Sequence, residues 1–289
     1  MERDLWRNIV QAVREVASGT ATGRYTFSDV DVFCTYFWAV MHNKPISWAC
    51  EPSHWPLVCR KRPHPTSSTM SRRLRRPQFQ QQLEQLESRL KTHWPKGLVQ
   101  VIDGKPLPVG GNSSDPDASY GRAVGGVACG YKLHAIYGTN GAPVVWEVQP
   151  LNVDERVVAR SLIARSDSGG YLLGDKHYDA NELYDLAAQH GMQMVVARVR
   201  GPHCALGHRT QSPDRLRSKD LLEDSHTGFG PALYKRRTDI ERFFGVLTTP
   251  WYGLSPLPAY VRRLPRVRRW VQAKLIIYMI TRLTRDKAG

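Results

Sequence analysis

"GGYLLGDKHYDANELYDLAAQHGMQMVVARV", residues 169–199, reads as strand, helix, strand. "GGYLLGD" is a short apolar run opened by glycines, the pattern of a buried strand, and it ends on Asp175. "DANELYDLAAQHG" returns apolar residues at helical spacing and closes at Gly191, a residue type suited to the left-handed turn after a helix. "MQMVVARV" is a second apolar strand. A helix between two buried strands sets an α/β class.

Upstream, "LVQVID" (98–103) is a β-branched strand ending in Asp103, and "GKPLPVGGNSSDPDASYGRAVGG" (104–126) behind it reads as a loop. "YKLHAIYG" (131–138) alternates, "TNGA" supplies an Asn-Gly turn, and "PVVWEVQPL" (143–151) returns as the second arm of a hairpin. "VDERVVARSLIARS" (153–166) is a helix. The sum is one mixed sheet of five strands with flanking helices.

Residues 1–95 read as all-helical. "FSDVDVFCTYFWAVMHN" (27–43) starts at a Ser28 cap and stops before Pro45, while "QFQQQLEQLESRLKTHW" (78–94) is a bridging amphipathic helix. Between them "PTSSTMSRRLRRPQF" (65–79) has the composition of a DNA-recognition helix. Small polar residues such as Ser68 open it for base edges, and Arg72, Arg73, Arg75 and Arg76 follow for phosphates. The expected organisation is a helical DNA-binding region (1–95), a catalytic core (96–255) and a basic C-terminal helix (256–289) packing on that core. "VRRLPRVRRWVQAKLIIYMI" (261–280) supplies that helix, its arginines turned to DNA or a partner subunit.

The formal charge of the 289-residue chain is +15, which favours a polyanionic partner. Residues 1–96 hold 15 Lys+Arg against 8 Asp+Glu, residues 97–190 hold 7 against 11, and residues 191–289 hold 19 against 7. Basic flanks enclose an acidic middle, as in a protein that grips phosphate with its ends and keeps carboxylates at its centre. A hydrophobic fraction of 41% excludes a disordered chain. No apolar run approaches the roughly 18 residues of a membrane span, and "MERDLWRNIV" lacks a signal-peptide core, so the expectation is a cytoplasmic protein without a membrane partner. The five cysteines form no CxxC pair. Cys50, His54, Cys59 and His64 fit no standard zinc spacing and are interrupted by prolines.

Asp103 and Asp175 each end an apolar strand, where a mixed sheet opens into a crevice. Neighbouring strands would bring the two carboxylates together, a pairing that calls for a hard divalent cation with oxygen ligands. "YKRRTDIERFFGVL" (234–247) offers a third acid: read as one helix, it puts Tyr234, Arg237, Glu241 and Phe244 on one face. Glu241 is the expected third ligand, with Tyr234 and Arg237 as phosphate contacts. A plain surface ion pair, Arg237 to Glu241, is the competing reading.

"VIDGKPLPV", "GYKLHAIYGTNGAPVVWEV", "YLLGDKHYDANELYD" and "YKRRTDIERFFGVL" together resemble the DDE transposases of bacterial insertion sequences, over roughly residues 98–250. The resemblance implies an RNase H-like core that binds element ends in double-stranded DNA, nicks them and joins the freed 3′ end to target DNA. It implies Asp103, Asp175 and Glu241 as catalytic ligands of two Mg²⁺ or Mn²⁺ ions, and Tyr234, Arg236, Arg237, Thr248 and Lys132 as DNA contacts. It also implies a homodimer in the synaptic complex and a bacterial, nucleoid-associated location. The family's signature continues after six intervening residues to a lysine, whose place here is Thr248. Two alternatives stand beside this reading: a domesticated, catalytically weak DNA-binding protein, and a metal-dependent structure-specific nuclease.

Overall fold

A computed structural model of the chain describes residues 2–17, 26–60, 63–110, 114–166, 169–198, 210–224 and 226–286. They divide into two compact units: Met1–His93 with Leu247–Leu254 and Pro258–Gly289, and Trp94–Val246 with Ser255–Leu257.

The first unit is helical. It opens with α1 (Glu2–Ala17), α2 (Asp29–Met41), α3 (Ile46–Ala49), α4 (Leu57–Arg60), α5 (Ser67–Arg73) and α6 (Pro77–Lys91). The α1 stripe Leu5, Ile9, Val13 and Ala17 repeats every four residues and is buried throughout. Ser28 caps α2 reciprocally with Asp31, each side chain accepting the other's backbone N–H. Thr66 caps α5 by accepting from the Thr69 N–H. His54 stacks on Trp48, and His64 tilts against Trp55, so both imidazoles belong to aromatic packing.

The second unit carries a mixed sheet: β1 (Val99–Pro108), β2 (Ser119–Ala123), β3 (Gly126–Gly138), β4 (Pro143–Pro150), β5 (Gly170–Gly174) and β6 (Met192–Val196). Its helices are α7 (Glu155–Arg165), α8 (Asn181–Gln189), α9 (Pro213–Glu223), α10 (Phe229–Lys235) and α11 (Thr238–Leu247). Strand order is β2-β3-β1-β5-β6, and β4 also pairs with β3. β1, β5 and β6 are parallel, while β3 runs antiparallel to β1, β2 and β4. One face of the sheet, with Ile102, Ile136, Leu172 and Met194, packs on Val158 and Leu162 of α7 and Leu183 of α8.

The sheet has six strands where five were expected, because the segment after Asp103 is not all loop. β1 continues to Pro108, and β2 lies further along the same segment. Pro106 and Pro108 are tolerated by the hydrogen-bond pattern. Val109 donates to Cys129, so the odd-numbered residues bond β3, and Pro108 turns its carbonyl away from β3 to accept from Leu257. β5 pairs with β1 only over Val99–Val101, so the missing proline N–H groups face an open edge.

The last helix, α12 (Leu264–Asp286), packs on α1, α2 and α6. It is buried almost all round from Val267 to Thr281. Polar ties join it to its neighbours: Asn8 donates to Thr284 at 2.8 Å, and Gln272 donates to Glu87 at 2.8 Å. The division of the chain groups this helix with the first unit. Its apolar positions on every side need a surround of helices, which the first unit supplies.

Candidate active site

Asp103 and Asp175 stand at the same level of neighbouring parallel strands. The last paired residues of β1 and β5 are Val101 and Leu173, and each aspartate lies two positions beyond. Asp103 accepts from the Gly104 N–H at 2.7 Å. Burial pushes its carboxyl up to about 6, and the negative charges of Asp175 and Glu155 push the same way against the Gly104 N–H and Arg237. Asp175 caps the short 3₁₀ turn Lys176–Tyr178, accepting from the His177 N–H at 2.9 Å and lying 2.8 Å from His177 Nδ1.

The neighbouring acid Asp179 has another task. It is buried, accepts from Arg215 at 2.8 and 2.9 Å and from Lys219 at 3.0 Å, and these bonds hold it at about 2 despite desolvation. One "DKHYD" segment therefore holds an acid at the strand end and an acid locked in the interior.

The stretch expected as one helix is two, α10 and α11, with Arg236 and Arg237 in the turn between them. Asp239 donates its N–H to the Arg236 carbonyl, and Arg236 Nε bonds Asp239 at 2.8 Å. Tyr234 is also corrected: its hydroxyl donates to the Gly174 carbonyl at 3.0 Å and accepts from the Ala197 N–H at 3.4 Å. It ties α10 across the ends of β5 and β6, one residue before Asp175. Glu241 is half exposed and paired with Arg237 at 2.8 Å. Phe244 is buried in the core. Thr248 lies one residue past the end of α11.

The basic residues divide in the same way. Lys132 is buried and bonded to Glu155 at 2.6 Å, because it sits on the sheet face that α7 covers; it is no phosphate contact. Arg73 turns inward, donating to the Phe27 carbonyl and pairing with Asp29 beside the α2 N-terminus. Ser68, Arg72 and Arg75 remain exposed, and Arg76 is half-buried. Cys204 and the Cys59 side chain lie outside the described residues.

Glu155 escaped sequence reading. It opens α7 and contributes charge at both Asp103 and the buried Tyr178. An acid in a first helical turn is too common to mark a site. Among the described residues, no three His, Cys, Asp or Glu side chains are gathered closely enough to hold a metal ion. Asp103, within β1, and Asp175, just past β5, lie at one level, while Glu241 is paired with Arg237.

A parallel sheet edge presenting two mutually repelling carboxylates, with arginine beside them, defines a class suited to phosphoryl-transfer chemistry. A family model described as a transposase DDE domain matches residues 94–280, and the chain belongs to that family. Among solved structures, the chain is similar to the piggyBac transposase in its synaptic complex with hairpin DNA. The TM-score is 0.51 at 10% identity, over 99% of this chain and 74% of that one. No curated protein matches the chain by sequence.

Proposed function

We propose that the chain binds the ends of a mobile element as a homodimer, nicks the DNA there and joins the freed 3′ end to target DNA. The observation that carries this reading is the in-register placement of Asp103 and Asp175, with the Asp175 charge raising the cost of ionising the buried Asp103. Their donor set fits a hard divalent cation: oxygen ligands, one of them desolvated, with a like charge to neutralise. Two Mg²⁺ or Mn²⁺ ions would supply an activated water and stabilise the leaving oxygen there.

The chain's own residues do the rest. Asp103 is fixed by the Gly104 N–H and Asp175 by the turn it caps, so neither acid has to be ordered on binding. Tyr234 holds α10 over the strand ends. Glu241, now paired with Arg237, would hold the ions together with the two aspartates, and the Arg237 guanidinium would then meet a backbone phosphate. The exposed Arg72 gives sequence-independent grip and its salt dependence.

Asp103→Asn, Asp175→Asn and Glu241→Gln, assayed in Mg²⁺ on duplexes carrying the inverted repeats that flank the gene, should each lose nicking and joining while DNA binding persists. Near-normal nicking by one variant would remove that residue from the reaction. Nicking without strand joining in the unaltered chain would reassign the protein as a nuclease.

A further inference from the structure

A cavity of about 250 Å³ lies within the helical unit, remote in the sequence from the carboxylates. Arg75, just past α5, and Arg266 and Arg269, on the first turns of α12, line it together with Ser71, Tyr260 and Trp270. Among the described residues, no aspartate or glutamate is on its wall.

The arginines cost stability if the cavity stays without a ligand. Guanidinium groups facing one space repel: desolvation lowers the Arg269 pKa, and Arg266 lowers it further. Water meets their hydrogen-bonding needs but not their charge. An anion with several acceptor oxygens satisfies both, and guanidinium forks suit a tetrahedral phosphate better than a point charge does.

We propose that this cavity is a phosphate-binding site in which Arg75, Arg266 and Arg269 converge on one phosphate group. The site turns two basic segments that look independent in the sequence into one clamp. Its phosphate is a DNA phosphodiester or that of a small free molecule. The first source rests on the DNA-binding part of the proposed function; the site itself does not.

The test uses the full chain, melted in sodium phosphate and in sodium chloride of matched ionic strength, with Arg75→Gln and Arg266→Gln made singly and together. Arg269 is part-buried and its variants could fail to fold, so the two exposed arginines carry the test. Phosphate should raise the melting temperature of the unaltered chain. The double variant should lose that gain while melting no lower in chloride, since a repulsion has been removed. If DNA is the source, the double variant's plot of log affinity against log salt should also flatten by about one unit, one phosphate's worth. A lost phosphate gain with an unchanged DNA slope supports the site and assigns it to a small phosphate-bearing molecule. No phosphate gain in the unaltered chain overturns the site. Neither metal nor cleavage enters this measurement, so its failure leaves the reading of Asp103 and Asp175 intact.

Discussion

Two lysines, Lys219 in the α/β unit and Lys274 in the helical unit, are each almost fully buried, at 2% and 1% exposed. Lys219 donates to the Asp179 carboxylate at 3.0 Å, to Tyr184 at 3.1 Å and to the Val196 carbonyl at 2.8 Å. Lys274 donates to neutral acceptors, the Val40 carbonyl at 2.6 Å and Asn43 Oδ1, and lies 5.0 Å from the centre of the Trp270 ring. One charge is buried with its counter-charge and the other among dipoles. The difference extends outward: the α/β unit closes Asp179 with two cations, whereas the helical unit leaves three arginines around an unpaired cavity. Closed electrostatics hold a framework together, and open electrostatics await a partner.

Removing Asp179 should break the comparison most severely. Asp179→Ala strands Arg215 and Lys219, and a loss of about 3–5 kcal/mol is expected in urea unfolding. The Asp179 carboxyl is held at about 2 in the folded chain, below its unfolded value. Its stabilising contribution is therefore complete above about pH 4 and lost as pH falls toward 2. A loss under about 1 kcal/mol at neutral pH would make the closed network ornamental.

Lys274 gives the next effect, with the same sign in pH but in a higher window. Burial lowers its pKa to about 7, so the folded chain disfavours the proton that the unfolded chain keeps until about 10.4. Stability should rise with pH between about 7 and 10, and Lys274→Met should flatten that rise by up to about 4 kcal/mol, at about 1.4 kcal/mol per pKa unit. Parallel pH curves for the two forms would mean that the lysine stays charged at no cost.

Arg237→Gln should have the smallest effect on stability. Its partner Glu241 is half exposed and one helical turn away, so a change within about 0.5 kcal/mol is expected in the same urea titrations. A larger loss would place this pair with the buried network.

What could be read from sequence follows the range of the forces involved. Asp103 and Asp175 were legible because apolar runs that end in an acid are local patterns, and so was the β3/β4 hairpin. The extension of β1 was hidden because Pro106 and Pro108 signal a break, and only the absence of β5 alongside them makes them harmless. The split between α10 and α11 was hidden because both halves keep the 3.6-residue period across the turn. Charge counts could not show that Arg73 and Lys132 point inward, since the partner Asp29 lies 44 residues from Arg73 and Glu155 lies 23 from Lys132. The basic cavity was hidden for the same reason.

The packing of α12 on α1, α2 and α6 sets an order of events during synthesis. The first helices of the chain leave the ribosome without the partner that covers them. At about 5–20 residues per second, the stretch from His93 to Leu264 takes roughly ten to thirty seconds to translate. All but a short tail of the α/β unit emerges within that interval, so it can condense while the N-terminal helices wait with apolar stripes such as Leu5, Ile9 and Val13 uncovered. A message cut short before its last helix would thus yield a catalytic sheet attached to an unfinished front end, a form prone to removal by chaperones and proteases.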